Sequence, residues 1–354
     1  DYNSVEWLVN FIQEFENTII VVSHDRFFLD SVCTHISDID FGKINHFSGN
    51  YSFWQASSEL ATRQKLQQNK KSEEKKKELQ EFISRFSANV AKSKQATARK
   101  KMIEKLNIEE IKPSSRRYPA IIFEQERKAG DQILDVNSLS LSNENETLFK
   151  DISFNLKRGE KVLILSKNSR ACNYFYECLS GNLKSSSGSY SWGITTSFGY
   201  LPLDNSSFFN NKLSLVDWLR QWANTDEEKE ELYIRGFLGK MLFSGDEALK
   251  SCDVLSGGEK VRCMLSKIMM GNPNVLLIDE PTNHLDLESI TTFNNSLINF
   301  KGTVLMSTND IAFAKSVSNR IIEITPNGVI DSYLPFDEYV KDKKIINHRE
   351  RLYK

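Results

Sequence analysis

Two carboxylates follow a short apolar segment late in the chain. Asp279 and Glu280 come directly after Val275–Ile278, which has the length and composition of a buried strand. A strand that ends in two acids can coordinate Mg²⁺ through the first carboxylate and polarise an attacking water with the second. The alternative is a surface turn after a core strand, and the neighbouring residues favour the chemical interpretation.

A glycine-containing segment upstream of the acid pair has residues that suit phosphate binding. It consists of Leu255, Ser256, Gly257, Gly258 and Glu259. We predict that it opens a helix ending near Gly271. Glycines before a helix expose backbone N–H groups, and the N-terminus of a helix favours a phosphate. The segment therefore predicts a phosphate contact close to the acid pair.

The elements around these residues occur twice in the chain. A shift of 285 positions places Asp1 on Asp286 and Thr18 on Thr303, and the polar triplet 23–25 falls on 308–310. The shared pattern is a helix, an apolar strand, the triplet, a second helix, and two short strands around a turn. The match runs without a gap over residues 1–36, which favours a true repeat over chance similarity.

The two copies differ in what precedes them. The second copy begins near Ile133, so residues 133–285 come before its matching segment. Nothing precedes Asp1, and the chain does not begin with Met. We therefore expect an N-terminally truncated chain that starts partway through its first domain.

The composition restricts the class of protein. Of 354 residues, 40% are hydrophobic and 26% are charged, which is typical of a globular chain that can bury a core. No apolar run approaches the ~18 residues that a membrane span needs. The five cysteines form no CxxC pair, which argues against a zinc ribbon or a disulfide scaffold and favours a reducing, cytosolic compartment.

The net charge of −1 conceals a basic insert. Residues 56–117 contain 17 Lys and Arg against eight Asp and Glu, so the rest of the chain is acidic. Such an insert indicates either a nucleic-acid contact or a solvated, Lys-rich helical face. Two apolar stripes at helical spacing, one over residues 79–86 and one over 102–106, predict a helical hairpin with a turn near Asn89. Five cations lie near its predicted tip: Lys92, Lys94, Arg99, Lys100 and Lys101.

LSGGEKVR, followed by LLIDEPTNHLD and then by a strand ending in a polar triplet, resembles an ATP-binding-cassette domain. The resemblance implies ATP and Mg²⁺ as cofactors and makes Leu255–Glu259 the signature motif. By the same resemblance Asp279 is the Walker B aspartate that binds the metal, and Glu280 is the catalytic glutamate. Asp286 lies in the D-loop, and His24 stands at the switch histidine of the first copy.

Two cassettes joined by a charged hairpin, without a membrane span, resemble the ABC-F family. The stretches SHDRFFLDSVCTH, SRFSANVAKSKQATAR and YPAIIFEQE also look like its bacterial members. The resemblance implies a cytoplasmic protein that acts on the ribosome, with the hairpin reaching toward the transfer RNA in the peptidyl site. It therefore favours an RNA contact for the tip cations. We divide the chain into a first-cassette remnant (1–55), the hairpin linker (56–117) and a second cassette (118–354).

The phosphate loop of the second copy departs from the family pattern. GxxxxGK[ST] is expected after the strand Lys161–Leu165, and residues 166–174 read SKNSRACNY instead. The glycines are missing, and Cys172 replaces the lysine, whose charge-assisted contact is worth about 1.5–3 kcal/mol. Asn173 replaces the hydroxyl that would bind Mg²⁺. This sequence predicts a loop that does not bind phosphate.

Further departures fall on the same site. Leu203 stands at the Q-loop glutamine, Asn309 at the switch histidine, and Asn143 at the aromatic residue that usually stacks on adenine. Cassettes pair head to tail, each using its own loop and the signature of the other. We therefore expect one competent site, where Leu255–Glu259 covers a nucleotide held by the first copy beside His24, and one inactive site. By this expectation, residues 1–354 alone complete neither site.

Three functions remain open from the sequence. The first is an ABC-F ATPase acting on the ribosome, and the second is a non-catalytic ribosome- or RNA-binding remnant of one, such as a decaying gene product. The third and least favoured is the nucleotide-binding subunit of a transporter. For each we expect an α/β cassette fold of the P-loop type with a mainly parallel sheet, a helical subdomain at residues 205–254 and a short antiparallel piece at 133–154.

Overall fold

A computed structural model describes residues 2–40, 42–86, 98, 101–103, 116–143 and 146–354. The chain divides into two compact units. The larger unit combines Asp1–Phe28 with Arg117–Lys354, and the smaller unit contains Leu29–Arg116. None of the described helices combines the length and the hydropathy that crossing a bilayer requires.

Regular elements cover most of the described residues. The helices are α1 (Tyr2–Glu14), α2 (Arg26–Val32), α3 (Tyr51–Phe86), α4 (Ser169–Leu179), α5 (Leu215–Arg220), α6 (Glu231–Lys240), α7 (Gly257–Met270), α8 (Leu287–Asn299), α9 (Ile311–Val317), α10 (Phe336–Tyr339) and α11 (Lys343–Leu352). The strands are β1 (His35–Asp40), β2 (Lys43–Ser48), β3 (Gln132–Asn143), β4 (Glu146–Lys157), β5 (Lys161–Leu165), β6 (Ser187–Trp192), β7 (Phe198–Leu201), β8 (Val275–Asp279), β9 (Thr303–Ser307), β10 (Arg320–Thr325) and β11 (Gly328–Ser332).

A six-stranded sheet forms the centre of the larger unit. Its strand order is β11-β10-β5-β9-β8-β7, and its pairs are parallel except for β10 with β11. Every residue of β8 and β9 is buried, as expected for central parallel strands covered on both faces. Alternate residues of β8 enter different cores, Leu276 and Ile278 on one face and Val275 and Leu277 on the other. The predicted α/β fold with a mainly parallel sheet is confirmed.

Two smaller parts complete the larger unit. Strands β4, β3 and β6 form an antiparallel sheet, which confirms the antiparallel piece predicted at residues 133–154 and adds β6 to it. Residues 205–254 form the predicted helical subdomain, with α5, α6 and three short 3₁₀ segments. Its core contains the buried Trp218, stacked on Phe209 at a ring-centroid distance of 4.8 Å.

The internal repeat is present in the structure. The first and last residues of α1, α2 and β1 differ by 285 positions from those of α8, α9 and β10, respectively. The hydrogen bonds that begin the second helix also repeat. Asp25 accepts from the Phe28 amide at 3.0 Å, and Asp310 accepts from the Phe313 amide at 2.9 Å. The repeat therefore extends to individual helix caps.

The apolar segment at residues 18–22 differs from the sequence prediction. Its counterpart β9 is a buried central strand, whereas residues 18–22 join no sheet among the residues that the structure describes. Ile20 is 91% exposed and Val22 is 95% exposed. A strand needs neighbours to satisfy its backbone, and none of the strands in the described part of the chain pairs with this segment. The predicted strand is wrong for this reason.

The smaller unit contains the β1–β2 hairpin and the long helix α3. Ser52, in the first turn of α3, donates its backbone N–H to Asp30 at 2.7 Å. Trp54 is buried, and the Arg116 guanidinium lies 4.7 Å from its ring centroid while forming an ion pair with Asp38. Helix α3 confirms the first helix of the predicted hairpin. The turn near Asn89 lies outside the described residues.

Candidate functional site

The acid pair lies at the carboxyl end of β8. Asp279 pairs in register with Ser307 at the end of β9, and the Ser307 hydroxyl donates to Asp279 Oδ1 at 2.6 Å. Asn173, on α4, donates its side-chain amide to Asp279 Oδ2 at 2.9 Å. Asp279 is only 2% exposed, and this burial raises its pKa, although the two hydrogen bonds oppose the increase. Both carboxylate oxygens are thus bonded to the chain's own side chains.

Glu280 is held in a left-handed backbone conformation, with φ of +46°. A non-glycine residue rarely adopts this conformation without compensating contacts. The Glu280 amide donates to the Ser307 carbonyl at 3.1 Å, and its carboxylate accepts from the backbone N–H and the side-chain amide of Asn309 at 3.0 and 2.9 Å. Burial, together with the nearby Asp279 carboxylate, raises the pKa of Glu280 to about 7.

The segment at the phosphate-loop position connects β5 to α4. The Asn168 side chain caps α4 by accepting from the backbone N–H of Arg170 at 3.1 Å. The backbone N–H of Asn168 donates to the Ser166 hydroxyl at 3.3 Å. The Lys167 amide donates to the hydroxyl of Tyr353 at 2.9 Å. These three backbone N–H groups are therefore bonded within the chain.

Cys172 occupies the position where the resemblance expects the phosphate-binding lysine. It is 6% exposed, and burial raises the pKa of its thiol well above the ordinary value, with the nearby carboxylates adding to the increase. The group at this position is therefore a neutral thiol. The chain contains no disulfide, since all five cysteines are free.

The glycine-containing segment is shaped by a capping box. Ser256 is the N-cap of α7 and accepts from the Glu259 amide, while the Glu259 carboxylate accepts from the Ser256 amide at 2.9 Å. The same carboxylate forms an ion pair with Lys250 at 2.7 Å. Leu255 is buried, whereas Ser256 and Gly257 are exposed at the start of a 14-residue helix.

Gly258 allows this segment to pack against the loop after the acid pair. A Cβ atom at Gly258 would lie 2.6 Å from the backbone oxygen of His284, which is closer than side chains tolerate. Asp286 follows on the same loop and caps α8 by accepting from the Ser289 amide at 2.8 Å. The structure thus brings the predicted signature and D-loop residues together, and it gives Gly258, Glu259 and Asp286 structural roles as well.

The remaining predicted residues lie in different places. His24 is exposed just before α2, and Leu203 is exposed after β7. Asn143 ends β3, and its side chain is outside the described part of the structure. Lys101 is exposed on a helical segment. The other four predicted RNA-contact residues are outside the described residues: Lys92, Lys94, Arg99 and Lys100.

Two residues at the site were missed by sequence reasoning. Ser307 could have been found, because parallel pairing of two apolar segments places the end of β9 beside Asp279. Tyr353 had no such signal. It lies 186 positions from Lys167, beyond a helix whose pattern does not show which loop it contacts.

Comparison with known proteins decides the family of the cassette. Two sequence families, both described as ABC transporter, match residues 37–123 and 149–283. The uncharacterized ABC transporter ATP-binding protein YkpA of Bacillus subtilis (strain 168) is 50% identical over 354 residues, which is 100% of this chain and 65% of that protein. The chain carries an ABC ATPase domain. Domains of this family bind ATP, usually with Mg²⁺.

A second relative and one solved structure extend the comparison of this ABC ATPase domain. The energy-dependent translational throttle protein EttA of Escherichia coli (strain K12) is 30% identical over 358 residues, covering 97% of this chain and 62% of that protein. The ATP binding subunit of an ABC transporter matches with a TM-score of 0.50 and 18% identity, over 63% of this chain and all of that chain. The structural match supports the fold alone. The matches to YkpA and EttA cover 65% and 62% of those proteins, so this chain spans less than two thirds of the length of either relative.

Proposed function

We propose that this chain is part of an ABC-F type ATP-binding protein that acts on the ribosome in translation, in the cytoplasm. The relative EttA is named as an energy-dependent translational throttle protein, and its match extends over 97% of this chain, including the basic insert. The 17 Lys and Arg residues of positions 56–117 provide the positive charge that RNA phosphates attract. In this proposal the insert contacts ribosomal or transfer RNA.

The observation that carries the nucleotide chemistry is the contrast between two parts of one domain. The segment Leu255–Glu259 is intact and preformed by its capping box. The segment 166–174 has no glycine and has a buried thiol at Cys172. The acid pair beside it is already bonded to Asn173 and Asn309. We infer that this segment does not fit Mg²⁺–ATP. Asp279 and Glu280 then hold no metal and activate no water.

ATP and Mg²⁺ instead belong to a composite site in this proposal. The first cassette, when complete, pairs head to tail with the second and supplies its own phosphate loop. Ser256, Gly257 and Gly258 of the second cassette then cover the nucleotide. The exposure of Ser256 and Gly257 at the start of α7 supports this role, because helix N-termini attract phosphate oxygens. Asp286 then lies at the junction of the two cassettes, and His24 serves as the switch histidine.

A non-catalytic ribosome- or RNA-binding protein is the second candidate. The internally bonded acid pair favours it, since a domain that needs no nucleotide can still present the basic insert. ATP turnover separates the two candidates. We expect the chain alone to hydrolyse ATP weakly or not at all. Robust turnover that Glu280→Gln abolishes would contradict the inactive site.

Co-sedimentation with ribosomes tests the proposed partner. We expect the chain to pellet with ribosomes and to release as salt rises. Reversal of the five tip cations to Glu should weaken binding by at least about tenfold, because each lost phosphate contact reduces the salt-dependent part of the affinity. The reversed residues are Lys92, Lys94, Arg99, Lys100 and Lys101.

A matched control keeps the change in net charge constant. It reverses five cations on α3 instead: Lys70, Lys71, Lys75, Lys76 and Lys77. If the tip makes the contact, this variant should bind more tightly than the tip variant. Equal weakening by both variants would mean that unspecific charge attraction accounts for the binding and that the tip makes no special contact.

A further inference from the structure

Tyr353, which directly follows helix α11, reaches the segment at the phosphate-loop position. Its hydroxyl accepts from the Lys167 amide at 2.9 Å and donates to the Ile324 carbonyl at 3.2 Å. The Lys167 ammonium lies 4.4 Å from the centroid of the Tyr353 ring. One tyrosine therefore binds both a backbone donor and a side-chain cation of this segment.

Helix α11, which precedes Tyr353, is held in place by contacts with the rest of the domain. Arg349 donates to the buried carboxylate of Glu323 at 2.8 Å, and Tyr339 donates to the same oxygen at 2.6 Å. Asn327, in the turn between β10 and β11, donates to the Leu352 carbonyl at 3.2 Å. Charge-assisted bonds to a buried carboxylate are among the stronger hydrogen bonds in proteins.

The acid pair beside the loop also receives its hydrogen bonds from side chains of this chain. Amide N–H groups of Asn173 and Asn309 donate to Asp279 and Glu280 at 2.9 Å each. Both asparagines stand where the cassette pattern expects another residue type. Neutral amide N–H groups therefore contact the carboxylate oxygens that could otherwise bind a cation or a water.

We propose that this site is filled by the chain itself. The Tyr353 hydroxyl takes the place of a phosphate oxygen at the Lys167 amide, and the two asparagine amides satisfy the acid pair. The proposal rests on the inactive second site of the proposed function and adds its cause. The loop keeps its conformation without nucleotide because a residue from the C-terminal segment binds it.

Hydrogen exchange of the Lys167 amide tests the role of Tyr353. In Tyr353→Phe, which keeps the ring and removes the hydroxyl, exchange of the peptide containing residues 166–170 should accelerate about fivefold, the factor expected for one lost hydrogen bond. Tyr333→Phe is the matched control, since it removes a hydroxyl bonded to Glu160 at 3.0 Å elsewhere in the domain. Unchanged exchange at residues 166–170 in Tyr353→Phe would overturn the proposal.

A second measurement uses Mg²⁺–ATP as the probe on the unaltered chain. A self-filled loop should show no added protection at residues 166–170 and no rise in Tm at millimolar Mg²⁺–ATP. Protection of that peptide by Mg²⁺–ATP would overturn the proposal. Ribosome co-sedimentation of the unaltered chain reports separately on the proposed function. Failure of the unaltered chain to pellet with ribosomes would contradict the ribosome as partner and leave the loop measurement valid.

Discussion

At the scale of single residues, two asparagines account for the state of the acid pair. A buried carboxylate without donors costs free energy that the fold has to offset. Asn173 and Asn309 supply N–H groups to Asp279 and Glu280 without adding charge. The acid pair can therefore remain in the core of the domain without a metal ion, even though its sequence motif belongs to metal-dependent chemistry.

Replacement of Asn173 by alanine tests this balance. Asn173→Ala leaves the buried Asp279 with one donor fewer, so the free energy of unfolding should fall by about 1–3 kcal/mol. Urea denaturation at neutral pH measures the change. Asn347→Ala, at an exposed position of α11, is the control and should shift stability by less than about 0.5 kcal/mol. Equal stabilities of Asn173→Ala and the unaltered chain would contradict this role for Asn173.

At the scale of elements, the start of α7 combines a motif with a packing constraint. Sequence reasoning interpreted its glycines as phosphate-facing, and the structure adds the close approach of Gly258 to the His284 carbonyl. The position therefore excludes a side chain for a reason that needs no ligand. A residue that a motif marks as functional can also be required by the fold.

Alanine substitutions of one glycine on α7 and one on α6 test whether the fold excludes a side chain at Gly258. In Gly258→Ala the new methyl group would overlap the His284 oxygen, so the domain should lose about 1–3 kcal/mol of stability. Gly239→Ala on α6 places its methyl group in open space and should stabilise by up to about 1 kcal/mol through helix propensity. Thermal unfolding of both variants checks the opposite signs. A neutral Gly258→Ala would show that the loop moves away without cost.

At the scale of the whole molecule, the repeat places one pattern in two environments. Ile20 and Leu305 are related by the shift of 285 positions, yet Ile20 is 91% exposed and Leu305 is fully buried in β9. The same local pattern therefore gives a central strand in one copy and an unpaired segment in the other. Leu305 is buried because β9 pairs with β5 and β8, whereas residues 18–22 have no such neighbours in the described part of the chain.

The repeat also supplies a matched pair of substitutions. Leu305→Ala should reduce the free energy of unfolding by about 2–5 kcal/mol, since it leaves a cavity between two packed layers. Ile20→Ala should change it by less than about 0.5 kcal/mol, because its side chain already contacts water. Chemical denaturation of the two variants provides the comparison. A large loss in Ile20→Ala would mean that residues 18–22 are packed in solution.

Local and periodic features of this molecule were predictable from the sequence. The bounds of β5, the acid pair at the end of β8 and the helix after Ser256 follow from short patterns that the structure confirms. The long-range contact of Tyr353 with Lys167 was not predictable. It depends on which loops the sheet order brings together, and a one-dimensional pattern contains no such information. The unpaired segment 18–22 was mispredicted for the same reason.

Helix α3 has 36 residues, which at 1.5 Å per residue gives a rod about 54 Å long. Its first turn is fastened by Ser52 to Asp30 and by the packing of Trp54 under Arg116. A tilt of about 10° at that attachment would move the far end by about 9 Å, more than the rise of a full helical turn. A change in angle that is small at the base of α3 would therefore be a large displacement at the far end of the helix.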